Sequence, residues 1–264
     1  MSYGDYVMCE IYGFSGKRKS KLNNDLSEFF SHSSCHPHGW GLALFDGSNA
    51  EIRREIIRAD RSEYLEKLFA KPILSKNALA HIRLATIGNV ELDNCHPFTA
   101  KDKSGRSWTL IHNGTIFETK VLKKYIFLQK GETDSERILL YIVDRMNQKI
   151  SELDRKLSAR ERFDILDEII GGSSSKNKLN LLIFDGEITY AFTNYRDSLF
   201  LRQDEYGATF STCPLTNDGW ERLQFTVLLG FCNGSQVLSG KPHGNEYFFE
   251  ADSYKPLYMA YAGL

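Results

Sequence analysis

Apolar residues come in short runs and alternations through the N-terminal part of the chain, and the same habit returns after residue 178. Val7-Met8-Cys9-Glu10-Ile11-Tyr12-Gly13-Phe14 reads as a short buried strand, with Gly13 and Gly16 loosening its far end. Ser15–Asn24 is polar and basic and predicts a loop. Asp25–Ser31 predicts a helical turn with Leu26, Phe29 and Phe30 on one side. Strands are expected at Leu42–Phe45 and Glu51–Arg58, around an Asp46-Gly47 hairpin signal, and again at Asn77–Arg83 and Ser107–His112. Between them, Ser62–Phe69 has apolar residues at helical spacing behind a serine cap.

The period then changes. Thr119–Leu128 has helical character. Thr133-Asp134-Ser135-Glu136 opens a clear helix that carries Ile138, Leu139, Ile142 and Met146 on one face. A second helix is expected around Arg160–Ile170, with Gly171-Gly172 as its stop. Lys178–Phe184, Asp185-Gly186 and Glu187–Thr193 form a strong hairpin pattern. Shorter strands are expected at Leu199–Arg202, Thr209–Thr212, Leu223–Leu228 and Gln236–Leu238, with edge strands near Tyr247–Glu250 and Leu257–Tyr261. Strands, then paired helices, then strands favour α+β with stacked antiparallel sheets over an alternating parallel fold. No glycine-rich phosphate loop is present, so nucleotide binding gains no support.

Composition narrows the function classes. The 264 residues are 42% hydrophobic and 25% charged, an ordinary globular balance with enough chain for a sizeable core. A net charge of −1 without a long basic run argues against nucleic-acid binding. The five cysteines are odd in number and widely spaced, with no CxxC, which argues against a disulfide framework and a structural zinc site. No segment has the length and apolarity of a signal peptide or membrane span, so a cytoplasmic location is expected.

Candidate chemistry begins at Cys9, directly after Met8. A chain started at Met8 and trimmed of it would carry thiol and free α-amine on one carbon. The α-amine, with a reference pKa of about 7.7–8.0, could serve as the base. A buried structural cysteine is the alternative. Asn113-Gly114 could supply two donors to one oxygen, as an oxyanion hole requires, or could simply form a turn. Arg83, ending an apolar strand, could clamp a carboxylate or lie on the surface. Asp134 could hold an ammonium group or cap its helix. Gly39-Trp40-Gly41 allows close backbone approach to a ligand, or is strand entry with a core tryptophan. Cys35, His36 and His38, like Cys95 and His96, lack a convincing second half for a metal site.

The order of these stretches is more specific than any of them. Met8-Cys9-Glu10-Ile11-Tyr12-Gly13 is followed by His36-Pro37-His38-Gly39-Trp40-Gly41, then His81-Ile82-Arg83-Leu84-Ala85-Thr86-Ile87-Gly88. Asn94-Cys95-His96-Pro97-Phe98, His112-Asn113-Gly114 and Gly131-Glu132-Thr133-Asp134-Ser135-Glu136 come next, and Ser211-Thr212-Cys213-Pro214 later. This series resembles the class II glutamine amidotransferases of the N-terminal nucleophile hydrolase superfamily. It looks closest to short, stand-alone members, a group that also holds γ-glutamyl amide hydrolases.

The resemblance implies a four-layer αββα sandwich of two stacked antiparallel sheets over residues 9–264, with residues 1–8 as a leader or upstream start. It implies Cys9 as nucleophile, forming a γ-glutamyl thioester, with Asn113 and Gly114 as the oxyanion hole. It further implies Arg83 and Thr86 at the substrate carboxylate, Asp134 at the α-ammonium, and Gly39 and Trp40 at the substrate. The expected substrate is glutamine or a γ-glutamyl compound, with no cofactor and no metal. An ammonia-accepting partner protein and a homodimer are the expected associations, with neither nucleic acid nor membrane. Two departures stand out. Ile87 replaces a histidine usual in sugar-phosphate-synthesising members, and seven residues precede Met8. The competing readings are a γ-glutamyl amide or peptide hydrolase, and a catalytically silent binding module that keeps the leader.

Overall fold

A computed structural model describes residues 8–117 and 120–248. Expectations that fall on residues 1–7, Thr119, 249–250 and Leu257–Tyr261 lie outside the described residues. In chain order the elements are β1 (Glu10–Lys21), α1 (Asn23–Ser31), β2 (Trp40–Asp46), β3 (Asn49–Glu55), α2 (Glu63–Phe69), β4 (Leu74–Ile82), β5 (Phe98–Lys101) and β6 (Ser107–Thr115). Then come α3 (Asp134–Leu153), α4 (Ala159–Ser174), β7 (Lys178–Phe184), β8 (Thr189–Thr193), β9 (Phe200–Gln203), β10 (Gly207–Ser211), β11 (Trp220–Arg222), β12 (Leu229–Cys232) and β13 (Ser235–Ser239). Among the described residues no helix is long and apolar enough to cross a membrane.

The strands form two antiparallel sheets. One has seven strands in the order β11-β9-β10-β1-β4-β2-β3, and the other has six in the order β13-β12-β8-β7-β6-β5. Period-two alternation gives each sheet an inner and an outer face. Ile11 of β1, Leu79 of β4, Ile111 of β6 and Leu182 and Phe184 of β7 meet in one cluster between the sheets. Tyr12 and Phe14 of β1 and Ala78, Ala80 and Ile82 of β4 point the other way, into a cluster with Leu26, Phe29 and Phe30 of α1 and Leu65 of α2. Trp108 and Leu110 of β6 and Leu179, Leu181 and Ile183 of β7 pack outward against Ile138, Ile142 and Met146 of α3 and Phe163 and Leu166 of α4. These three cores make the layers helix, sheet, sheet, helix, as expected.

Several local expectations are corrected. Ser15–Asn24 is not a loop: β1 continues to Lys21 through a bulge, because β4 offers it partners as far as Ser20↔Ser75 and Lys21↔Leu74. Gly171-Gly172 do not stop α4, which runs on to Ser174. A Cβ at Gly171 would lie 2.4 Å from the His243 ring, so the glycine is where the later chain packs against the helix. Leu223–Leu228 is a partly buried connector, broken at Thr226 by a φ of 55°, and strand pairing resumes only at Leu229↔Ala191. Within Thr119–Leu128, expected to be helical, the structure forms a 3-10 helix over Lys120–Tyr125.

Candidate active site

The alternation that builds the core also builds the site. Cys9 precedes β1 in phase with Ile11, and Arg83 follows β4 in phase with Leu79 and His81. Pairing of Glu10 with Ile82 sets Cys9 and Arg83 at the same end of the seven-stranded sheet. On the facing sheet, Asn113 is in phase with Ile111, and the register Asn113↔Asn180 and Thr115↔Lys178 puts Lys178 on the inner face beside it. Nucleophile candidate, arginine, asparagine and lysine therefore project into one end of the space between the sheets.

The Cys9 thiol donates to the Leu84 carbonyl at 3.1 Å and sits 3.2 Å from the Leu84 N–H. The residue as a whole is partly exposed, but its sulfur is enclosed. Burial pushes the thiol pKa up, while the Leu84 backbone and the charges of Arg83 and Lys178 pull it down. Met8 is still joined to Cys9, and its carbonyl oxygen lies 2.6 Å from His36 Nε2. The Cys9 nitrogen is here an amide and has no basicity.

Arg83 is 3% exposed. Its guanidinium donates to the carbonyls of Asn89, Ile87 and Gly88 at 3.1, 3.0 and 3.0 Å. It thus holds the 87–89 loop, and three of its five N–H groups are engaged. From the other side Glu132 accepts from the Asn89 N–H at 2.8 Å, and Asn94 Oδ1 accepts from the Glu132 N–H at 2.7 Å. Glu132 and Asn94 lie inside the ordered motifs, but the sequence assigned them no part. Their contacts tie the loop to the segment leading into α3.

Asp134 is the first residue of α3, and the cap is Thr133, which accepts from the Glu136 N–H. The Asp134 carboxylate accepts from the Ile116 N–H at 2.7 Å and the Ser135 N–H at 3.0 Å, fixing it at the C-terminal end of β6. Thr86 and Thr115 meet through their hydroxyls at 3.4 Å. Asn113 is 4% exposed, and its Oδ1 is buried without a hydrogen-bond partner. Asn113-Gly114 is not a turn: both residues lie within β6 and pair with Asn180 and Leu179. Gly114 packs so closely on β7 that an added Cβ would sit 2.0 Å from the Lys178 carbonyl.

His112 locks this corner from behind. Its ring lies 2.9 Å from the Ser135 hydroxyl and 3.1 Å from the Lys178 carbonyl, joining β6, β7 and α3. Burial lowers its pKa, so the neutral ring donates from Nε2 to the carbonyl and accepts at Nδ1.

Trp40 does not join the group. It lies on the outer face of β2 in phase with Leu42, 1% exposed, against Phe30 and stacked on Tyr64, with its indole N–H donating to Glu55 at 3.1 Å. The expected substrate contact is corrected to a core residue. Gly39 lets the chain approach itself rather than a ligand: at φ 127° a Cβ would meet the Glu55 carbonyl at 2.7 Å and Cys95 Sγ at 2.9 Å. No group of three or more histidine, cysteine or acidic residues that could hold a metal occurs among the described residues.

A family model of class-II glutamine amidotransferases matches residues 8–209. The chain belongs to this family. The match takes in every residue of the corner just described. Among similar proteins is the Escherichia coli K12 protein named "Putative glutamine amidotransferase YafJ", 25% identical over 88% of this chain and 100% of its own length. An uncharacterized protein of Methanocaldococcus jannaschii is 27% identical over 89% of this chain and 72% of its own. The glutamine phosphoribosylpyrophosphate amidotransferase of Bacillus subtilis shares the fold, with a TM-score of 0.64 at 15% identity over 88% of this chain and 49% of its own.

Proposed function

We propose that this class II glutamine amidotransferase releases ammonia from the glutamine side chain through a γ-glutamyl thioester on Cys9. The observation that carries the reading is the convergence of Cys9, Arg83 and Asn113 on the inner faces of the two sheets, with Asp134 anchored at the end of β6. The register that puts Asn113 on the inner face of the second sheet supports the role given to its side-chain N–H.

In this mechanism the Cys9 sulfur attacks the amide carbon, and the carbonyl electron pair moves to oxygen. The Asn113 side-chain N–H and the Gly114 N–H donate to that oxyanion. The thiol proton passes through the Cys9 α-amine to the departing nitrogen. The C–N bond breaks, ammonia leaves, and a thioester remains. Water then adds to the thioester, glutamate is released and the thiol is restored. Arg83 takes the substrate α-carboxylate with the N–H groups it does not spend on the 87–89 loop, or after that loop shifts. Thr86 lines the same side, and Asp134 takes the α-ammonium. The ammonia goes to an acceptor on a partner protein.

The α-amine exists only once Met8 and its predecessors are gone, and the family match beginning at Met8 supports that start. The test is ammonia release from glutamine and from γ-glutamyl compounds by protein beginning at Cys9, beside Cys9→Ala, with N-terminal sequencing of natively expressed protein. Cys9-dependent ammonia from glutamine is expected. Turnover of γ-glutamyl peptides alone would move the reading to a γ-glutamyl hydrolase. No thiol-dependent turnover, or an active sample with another N-terminus, would sink the mechanism.

A further inference from the structure

A second cleft opens on the face of the seven-stranded sheet that turns away from Cys9. The registers Phe14↔Thr209 and Thr209↔Arg202 lay these three side chains on the outer face, in line with Tyr12. They form one side of a cavity of about 520 Å³ that Leu22, Asp25, Asp204 and Tyr206 also line. That volume falls within the roughly 300–1,000 Å³ of small-molecule sites. Thr209 is 1% exposed and lines the cleft, and its hydroxyl has no hydrogen-bond partner among the described residues. The fully buried Tyr12 hydroxyl is in the same state, and it feels the charges of Asp25, Arg202 and Asp204 in the cleft wall. Buried polar groups are almost always hydrogen-bonded, so two unpartnered hydroxyls at one cleft mark a place where an occupant completes the bonding.

The charged groups of the wall largely satisfy one another. Arg202 donates to Asp25 at 2.7 Å, lies 3.5 Å from Asp204 through Nε, and sits over the Trp220 ring at 5.1 Å. Asp204 also accepts from the N–H groups of Tyr206 and Gly207 at 2.8 and 3.1 Å. Lys21 and Arg202 balance Asp25 and Asp204, so the lining carries no net charge. An anionic ligand would face two carboxylates, and a cationic one would face the lysine and the arginine. A zwitterion would need charges that the arginine and the carboxylates already spend on each other. A neutral hydroxyl suits all of them, since it donates to a carboxylate oxygen and accepts from a guanidinium or a threonine. Phe14 and the half-exposed Tyr206 add apolar surface for the C–H side of such a ligand.

We propose that this cleft binds a neutral, polyhydroxylated small molecule of monosaccharide or cyclitol size, with the Thr209 hydroxyl as its buried partner, Asp25, Asp204 and Arg202 as its polar wall and Tyr206 as its apolar rim. The site is separate from the chemistry at Cys9, because Phe14 and Thr209 lie on the opposite face of the sheet from Ile11. Binding there is read with no turnover. Its failure therefore leaves the amidotransferase reading standing, and the converse also holds.

The experiment uses the full 264-residue chain. Saturation-transfer NMR titrations measure Kd for D-glucose, D-ribose and myo-inositol, with glycine as the zwitterionic probe and inorganic phosphate as the anionic one. Wild type is compared with Thr209→Val and Tyr206→Ala. Saturable binding of at least one of the three polyols is expected, about five-fold weaker in Thr209→Val for the loss of one hydrogen bond, and weaker also in Tyr206→Ala. Because valine keeps the shape and drops an unpartnered hydroxyl, the Tm of Thr209→Val should equal or exceed that of wild type. No saturable binding of any polyol, or equal Kd in wild type and both variants, would overturn the proposal. Tighter binding of glycine or phosphate than of every polyol would overturn the ligand class. A Tm collapse in Thr209→Val would overturn it too, since the hydroxyl would then be present for structure.

Discussion

Truncating Asn113 separates a catalytic amide from a structural one. In Asn113→Ala the loss to stability is small, for a reason visible in the structure. Oδ1 is buried and unpartnered, a condition that costs about 1–3 kcal/mol. Removing the amide relieves that penalty while forfeiting a modest amount of packing, so the net change stays within about 1 kcal/mol. For a chain of this size that is about 2–4 °C in Tm. Activity should behave differently. One oxyanion donor is worth about 10²–10³ in kcat, or about 2.7–4 kcal/mol. The assay is ammonia release by protein beginning at Cys9, with kcat and KM separated and Tm measured by calorimetry. The expected result is a kcat loss of about two to three orders of magnitude at nearly unchanged KM and Tm. Asn113→Asp keeps the size but loses the donor when ionised, and should fall as far. A kcat within a few-fold of wild type in a stable Asn113→Ala would refute the oxyanion assignment. A Tm collapse would show the amide to be structural after all.

Gly114→Ala should destabilise by about 1–3 kcal/mol, since the new methyl meets the Lys178 carbonyl and the His112 ring and must push β6 from β7; an unchanged Tm would contradict the close approach. Arg162→Met should cost about 3–5 kcal/mol, because it leaves the fully buried Asp185 without the Nε donor at 2.7 Å. Chemical denaturation beside wild type would read that loss directly. His81, His96 and His112 are all buried, and desolvation lowers the pKa of each. The unfolded chain therefore binds more protons than the folded one below about pH 6.5, and stability falls as pH drops through that range, by up to about 1.4 kcal/mol per pH unit for each proton. Urea midpoints at pH 7.5 and 5.5 should show the fall, and His96→Phe should flatten it. Equal midpoints in wild type would exclude buried neutral histidines.

Much of the site is legible in the chain because chemistry and order coincide there. Cys9 behind Met8, Arg83 at a strand end, Asn113-Gly114 and Asp134 are residue types that a core alone does not call for. Lys178 escapes a reading of the sequence, although a lysine at the head of the apolar run Lys-Leu-Asn-Leu-Leu-Ile-Phe is the available signal. Its depth is apparent only with Met8 and Tyr195 around it. Trp40 is equally compatible with ligand and core. The outcome turns on one residue of register: Trp40 shares the outer face with Leu42, while Gly41 faces inward and is filled by the His96 carbonyl, 1.9 Å from where a Cβ would stand.

The features that the sequence determined by itself are therefore local: alternation that marks strands and their two faces, 3.6-residue periodicity that marks α3, and the identity and order of the chemical groups. They depend on neighbours along the chain, whose geometry the backbone fixes. Only the tertiary structure decided which ends of which strands meet. Pairing of Glu10 with Ile82 and of Asn113 with Asn180 brings together groups 72 and 67 residues apart. Burial then gives the lysine and the thiol their altered proton affinities. Those are properties of the enclosed space, since desolvation depends on everything packed around a group and not on its neighbours in sequence.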